Sequence, residues 1–284
     1  MSAPATQRTP RVVAARRLQR RRERDAERLF LAEGPQAVRE AVGVPGAVQE
    51  LFGTPDALDR HAGLVDAAQA GGAGVCPVTG QGLAALAETV NPQGLVAVCR
   101  YLDVPLADAL APPPRLVAVL AEVRDPGNAG TVLRTADAAG AGAVVFAGDA
   151  VDPYNGKCVR ASAGSLFHLP VVRGAPAGAT VAALRSAGLR VLAADPYGEA
   201  DLDALADAGA LAAPTAWLFG SEAHGLAPAL AAAAHLRVRV PRYGRAESLN
   251  LAAAAAVCLY ASARALRGAG PVPAPDREDR ESQW

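Results

Sequence analysis

Five polar side chains, spread from Asn128 to Asn250, could do chemistry together. Asn128 and Arg134 follow the turn Asp125-Pro126-Gly127-Asn128. Glu222 lies in Phe219-Gly220-Ser221-Glu222-Ala223-His224-Gly225, and Ser248 and Asn250 close the stretch from Val240 to Leu251. Each falls where an apolar, strand-like run gives way to a loop or helix. In a parallel sheet, ligands bind beyond the carboxyl ends of the strands, and a helix start adds free N–H groups with a partial positive charge. A guanidinium suits an anion, carboxamides orient a polar ligand, and Glu222 places an acid at a strand end. Plainer readings stand beside these: an Asn-capped turn with a solvated arginine, a glycine turn with an exposed acid, and an ordinary strand-to-helix connection. Asn128 and Arg134 are six residues apart, so they face one strand end only if Asn128 is in the loop. Ser248 is placed as the N-cap of the alanine-rich helix Leu251 to Ala265.

Other chemistries lack their residues. No stretch fits G-x-G-x-x-G, a Walker loop or G-x-S-x-G. The cysteines, Cys76, Cys99, Cys158 and Cys258, are scattered without a C-x-x-C pair, so no metal site is expected. They read as small buried residues of a reducing compartment. His224 is a tempting base because histidine titrates near neutrality, but it follows a glutamate in a glycine-bounded turn. His168, in Phe167-His168-Leu169-Pro170, reads as structural.

The elements that must position these groups follow from hydrophobic period and breakers. Residues 1–9 read as a loose tail. Residues 10–102 alternate helix and strand: a helix from Arg11 to Arg28, a short strand over Arg28–Gly34 ended by the glycine, strand pieces at Leu51–Phe52 and Val75–Val78, a buried strand at Gly94–Arg100, and a helix from Gln36 to Val42. Residues 103–114 hold Pro105, Pro112, Pro113 and Pro114 and form an extended linker. Residues 115–267 carry near-continuous apolar strands at Leu116–Leu120, Ala143–Phe146, Phe167–Val172, Leu189–Ala194, Thr215–Phe219 and Leu236–Val240. Helices are expected at Thr131–Ala139, Tyr154–Ser162, Val181–Ala187 and Ala227–Ala234, with the long one at the end. Such strands need a parallel sheet covered on both faces, an α/β fold. Residues 268–284, rich in proline and charge, read as a disordered tail.

Net charge is zero, yet the arginines gather between Arg8 and Arg28 against only Glu23, Asp25 and Glu27. This is either a solvated helix face or a phosphate-binding patch that includes Arg16, Arg17, Arg20 and Arg21. Lys157, the only lysine, and Arg160 lie between the first two motifs and either contact phosphates or form another solvated face. No apolar leader or membrane-spanning run is present, so the expectation is a soluble, cytoplasmic chain.

Taken in order, Asp125 to Arg134, Phe219 to Leu226, and Val240-Pro241 with Ser248-Leu249-Asn250 resemble the motifs of the SpoU/TrmH family, RNA ribose 2′-O-methyltransferases of the SPOUT superfamily. The N-terminal part, with Phe30-Leu31-Ala32-Glu33-Gly34, resembles the family's small L30e-like substrate-binding domain. The resemblance implies a deep trefoil knot, a homodimer with the active site close to its interface, and S-adenosylmethionine as methyl donor. By position, Gly220, Val240 and Leu249 match cofactor contacts, and Asn128, Arg134, Glu222, Ser248 and Asn250 match active-site polar residues. It implies that Arg134 binds an RNA phosphate and steadies the developing alkoxide, with a formal base role as the less favoured variant. Ala223 stands where a glycine is common, and Arg242 where methionine is common. The arginine-rich N-terminal domain favours 23S ribosomal RNA as the substrate. The alternatives are a tRNA substrate, a catalytically silent RNA-binding or assembly protein of the same fold, and a nucleotide-binding α/β enzyme of another kind.

Overall fold

Two sheets organise residues 3–268, the part that the computed structural model describes; the remainder of the expected C-terminal tail lies outside the described residues. The first sheet contains β1 (Leu29–Glu33), β2 (Val48–Gly53), β3 (Gly74–Pro77) and β4 (Leu95–Arg100), in the order β1-β4-β2-β3. β4 is its centre, antiparallel to both neighbours. Leu95, Ala97 and Cys99 enter one core, while Val96 and Val98 enter another under the first helix. That two-sided burial is why the strand reads as an unbroken apolar run.

The second sheet contains β5 (Leu116–Ala121), β6 (Ala143–Ala147), β7 (Val171–Ala175), β8 (Arg190–Ala194), β9 (Ala200–Asp201), β10 (Thr215–Phe219) and β11 (Leu236–Arg239). Their order is β7-β6-β5-β10-β8-β11-β9, and every pairing is parallel. Leu116, Ala118 and Leu120 of β5 pack into one core and Val117, Val119 and Ala121 into the other. Trp217 and Phe219 of β10 join the first face, and Ala216 and Leu218 the second. Trp217 donates its indole N–H to Ser262 of the C-terminal helix at 2.9 Å, so even the buried polar atom is satisfied. Among the described residues no helix is long and apolar enough to cross a membrane.

Several elements differ from the sequence expectation. The helix expected from Arg11 to Arg28 is two, Pro10–Arg17 and Arg21–Glu27. Arg24 turns back at this break, and its Nη1 donates to the carbonyls of Leu18 and Gln19, both at 3.0 Å. The strand expected from Phe167 starts at Val171, because Ser165–Phe167 form a 3₁₀ turn. Strand β9 and the helix Leu202–Asp207 are additional. Residues expected in the loose N-terminal tail are docked: Ala5 bridges Val78, donating to Pro77 and accepting from Thr79. The proline-rich segment is docked too. Val104 donates to Val171 at 2.9 Å, and Ala109 and Leu110 are buried in the second core.

The apolar core runs across this junction. Phe30, Val38 and Leu51 of the small sheet share one cluster with Leu133, Phe146 and Tyr154 of the large one. His168 bridges the two parts at its edge, with Nδ1 2.7 Å from Asp137 and Nε2 3.1 Å from Glu40. Partial burial works against its charge, but the two carboxylates outweigh that and raise its pKa. A raised folded-state pKa gives stability that is fully present below the unfolded value and lost as pH rises through the folded one. His168→Gln is therefore expected to lower stability at about pH 6 and to have little effect at about pH 9, measured by chemical denaturation at both.

Candidate active site

Three loops meet at the carboxyl edge of the large sheet. β8 lies between β10 and β11, so the turns after Phe219, Ala194 and Arg239 are neighbours. They enclose a cavity of about 680 Å³. Its walls are Ala194–Tyr197, Phe219–Leu226, Val240 with Arg242, and Ser248–Leu251 at the start of the C-terminal helix. This is the size of a small-molecule site, at the place where a parallel sheet puts one. Gly220, Val240 and Leu249, expected to touch a ligand, line it, as do Glu222, Ser248 and Asn250.

The loop after β10 is closed on itself. Ser221 and Gly225 exchange backbone hydrogen bonds, both 2.9 Å. A Cβ on Gly220 would lie 2.2 Å from the carbonyl carbon of Gly225, so only glycine fits there. The stretch after β11 is open by contrast. Among the described residues, no backbone N–H from Val240 to Leu249 reaches another backbone group. Of this stretch, Val240, Arg242, Ser248 and Leu249 line the cavity.

One chain of hydrogen bonds ties the three motifs together. The Oδ1 of Asn250 accepts from the backbone N–H groups of Ala252 and Ala253, at 2.9 and 3.3 Å. Asn250 is therefore the N-cap of the helix Leu251–Gly268, and Ser248, expected in that role, is instead an exposed residue of the cavity wall. A carboxamide oxygen that accepts two helix N–H groups leaves its NH₂ pointing away. That Nδ2 donates to Oδ1 of Asn128 at 3.1 Å, and Nδ2 of Asn128 donates to Glu222 at 3.0 Å. Glu222 also accepts from the backbone N–H groups of Arg124 and Asp125, both at 3.3 Å. Burial raises the pKa of Glu222, but the Asn128 amide and the backbone N–H groups of Glu222, Arg124 and Asp125 outweigh it and hold the carboxyl below its usual range. Glu222 is thus ionised at neutral pH and a weak proton acceptor.

Asn128 was expected in a loop ahead of a helix from Thr131. The helix runs Pro126–Ala138, with Asp125 as N-cap and its Oδ1 accepting from Asn128 N–H at 2.7 Å. Asp-Pro reads as a turn but also starts a helix, since proline at the first position has no N–H to satisfy. Asn128 reaches the strand end from the first helical turn. Arg134, six residues on, rises about 9 Å along the axis. It is exposed and makes no hydrogen bond or ion pair with another described residue.

The expected RNA contacts divide. Arg16 and Arg20 are exposed without an ion pair among the described residues, while Arg17 pairs with Glu23 at 2.8 Å and Arg21 with Asp25 at 3.6 Å. Lys157 pairs with Asp125 at 2.8 Å, which caps the Asn128 helix. Arg160 is not a free phosphate ligand. It is held by Glu33 and Glu88 at 3.4 and 3.1 Å, across the junction between the two sheets. His224 is exposed at the cavity lip, with its backbone N–H on Ser221 Oγ at 3.3 Å. Asp195, Pro196 and Tyr197 of the turn that ends at Gly198 also line the cavity and were not singled out from sequence. A D-P-x-G turn directly after a buried strand was the available signal. Among the described residues no group of His, Cys, Asp and Glu is arranged to hold a metal.

A polar chain over a small-molecule cavity, at the carboxyl edge of a parallel sheet, defines an α/β enzyme domain with a second domain docked beside it. Residues 115–260 match the SpoU rRNA Methylase family and residues 9–97 the MRM3-like substrate binding domain. The chain belongs to the SpoU rRNA methylase family. It is 35% identical to the 23S rRNA (guanosine(2553)-2′-O)-methyltransferase RlmP of Bacillus subtilis, over 86% of this chain and 92% of that protein. Its fold is similar to an AdoMet-bound rRNA methyltransferase from Sinorhizobium meliloti, with TM-score 0.82 and 32% identity over 92% of this chain and 97% of that one. It is also similar to AviRb from Streptomyces viridochromogenes, solved with AdoMet, with TM-score 0.75 and 29% identity over 90% of this chain and 98% of that one.

Two substitutions separate the cap from the relay. Asn250→Ala removes the cap and should cost about 1 kcal/mol. Asn250→Asp keeps the cap and should stay near wild-type stability, although the new carboxylate cannot donate to Asn128. Thermal denaturation of both variants checks the difference.

Proposed function

We propose that this chain transfers a methyl group from S-adenosylmethionine to a ribose 2′-hydroxyl of RNA, with 23S ribosomal RNA as the substrate. The observation that carries this is the hydrogen-bonded chain Asn250–Asn128–Glu222, which joins all three motifs beside one cavity. The kinship with RlmP, the AdoMet-bound relatives and the MRM3-like domain support it.

The cavity suits the donor. Phe219, Leu226, Val238 and Leu249 supply apolar walls, and the backbone of Val240, Arg242, Ser248 and Leu249, without backbone partners among the described residues, offers hydrogen bonds at the lining. When bound, S-adenosylmethionine supplies an electrophilic sulfonium methyl group. The chain's own residues place the acceptor and handle its charge. Glu222, ionised and saturated with donors, anchors the array rather than removing a proton. Asn128 and Asn250 fix one another's orientation, and Ser248 offers a hydroxyl on the wall. Arg134 binds an RNA phosphate and steadies the alkoxide as it forms.

That role for Arg134 goes with the homodimer. Arg134 lies on an exposed face of the Pro126–Ala138 helix, outside the cavity lining of its own chain. Leu249, Val257 and Tyr260 are exposed apolar residues on or beside the C-terminal helix that packs against it. Val257 and Tyr260 fall at i, i+3 spacing, a stripe suited to a second copy of the chain. The trefoil knot is part of the same reading. A cytoplasmic location goes with an RNA substrate of this kind. A tRNA is the alternative acceptor, and the intact Asn128, Glu222 and Asn250 set weighs against a silent RNA-binding protein.

Calorimetry with S-adenosylmethionine and labelled methyl transfer to 23S rRNA test the reading directly. Arg134→Ala is expected to lower methylation by about a hundredfold while leaving donor affinity within about twofold. Full activity in that variant would end the assignment of Arg134. Light scattering should give twice the chain mass.

A further inference from the structure

The hydrogen bonds and ion pairs joining the two domains concentrate on one segment of the methyltransferase domain, Asp152–Arg173. At its start, the Arg24 and Asp152 side chains are 4% and 3% exposed. Nε and Nη2 of Arg24 both donate to Asp152 Oδ2, at 3.0 and 2.7 Å. A buried arginine whose remaining Nη1 bonds are taken by backbone carbonyls has no other counter-ion to turn to. At the segment's end, Arg173 pairs with Asp25 at 2.7 Å and lies 4.8 Å from the Tyr101 ring. Tyr101 stacks on Tyr154 at 4.0 Å.

The same segment also holds the Asn128 helix. A Cβ on Gly130 would lie 2.4 Å from the Cys158 carbonyl oxygen, so the helices Pro126–Ala138 and Gly156–Ala161 touch at backbone level. Packing this close moves as a unit. Arg16 and Arg20 are exposed in the stretch just before Arg24, and Asn128, a member of the cavity relay, lies on the helix packed against Gly156–Ala161.

We propose that Asp152 is a positioning residue for RNA methylation: by holding Arg24 it fixes the arginine-bearing helices Pro10–Arg17 and Arg21–Glu27 at one angle to the cavity, so that both domains seat the RNA as one rigid body. This rests on the function proposed above. Asp152 touches neither donor nor acceptor, so its loss acts on how RNA is seated.

The test is Asp152→Asn in the full chain, which keeps the shape and removes the charge Arg24 needs. The KM for a 23S rRNA fragment should rise about tenfold, with the Kd for S-adenosylmethionine within about twofold and kcat at saturating RNA nearly unchanged. Asp152→Glu should recover part of the loss, and amide exchange in Arg21–Glu27 should speed up in Asp152→Asn alone. An unchanged KM, or a loss of donor affinity by the same factor, overturns the proposal. Should Asp152→Asn fail to fold, Arg173→Gln at the rim is expected to raise KM about threefold, and no change there overturns it equally. A wild-type chain that neither binds S-adenosylmethionine nor methylates RNA overturns the functional reading along with this one. Normal wild-type activity with an unaffected variant removes this proposal alone.

Discussion

The orientation of two carboxamides governs what the crevice presents. Asn250 must turn its oxygen to the helix it caps, so its NH₂ must face Asn128, and Asn128 must then face Glu222 with its own NH₂. No member can flip without setting like against like. The chain starts at a helix amino end and finishes on a carboxylate, so its polarity runs with the helix field. Three sequence-distant loops are thereby held in one arrangement, and Glu222 keeps its charge despite partial burial.

The junction between the domains is built as firmly. A continuous apolar cluster, a stacked tyrosine pair and a buried ion pair cross it. Surface ion pairs alone contribute little, and buried ones are poor sources of net stability. What Arg24 and Asp152 contribute is specificity of docking, because each has its partner only in one arrangement. Arg160 and His168 add polar links around that centre.

The two departures from the family pattern are locally accommodated. Arg242 donates to the Glu247 carbonyl within the loop between β11 and the C-terminal helix. Ala223 sits in the loop that Ser221 and Gly225 close, where the backbone is already constrained by its own hydrogen bonds. Neither occupies a position in the polar chain.

The sheet was legible from the sequence alone, because strands buried on both faces must be apolar throughout: Leu116–Ala121, Ala143–Ala147 and Thr215–Phe219 could be little else. Asn128, Glu222 and Asn250 stood out as polar groups at strand ends in three ordered motifs, and the structure joins them in one hydrogen-bonded chain. What the sequence left open was competition between local alternatives. Asp125-Pro126 served a turn as well as a helix start, and Ser248 was as good a cap as Asn250. Tertiary contacts decided both, since only Asn250 can cap the helix and still reach Asn128. The arginine run shows the same limit: spacing cannot separate Arg24, buried on Asp152, from Arg20, exposed to solvent, because the carboxylate that distinguishes them lies 128 residues away. Local sequence determines which groups are available. The fold determines which of them meet, because desolvation and pairing depend on neighbours brought in from elsewhere in the chain.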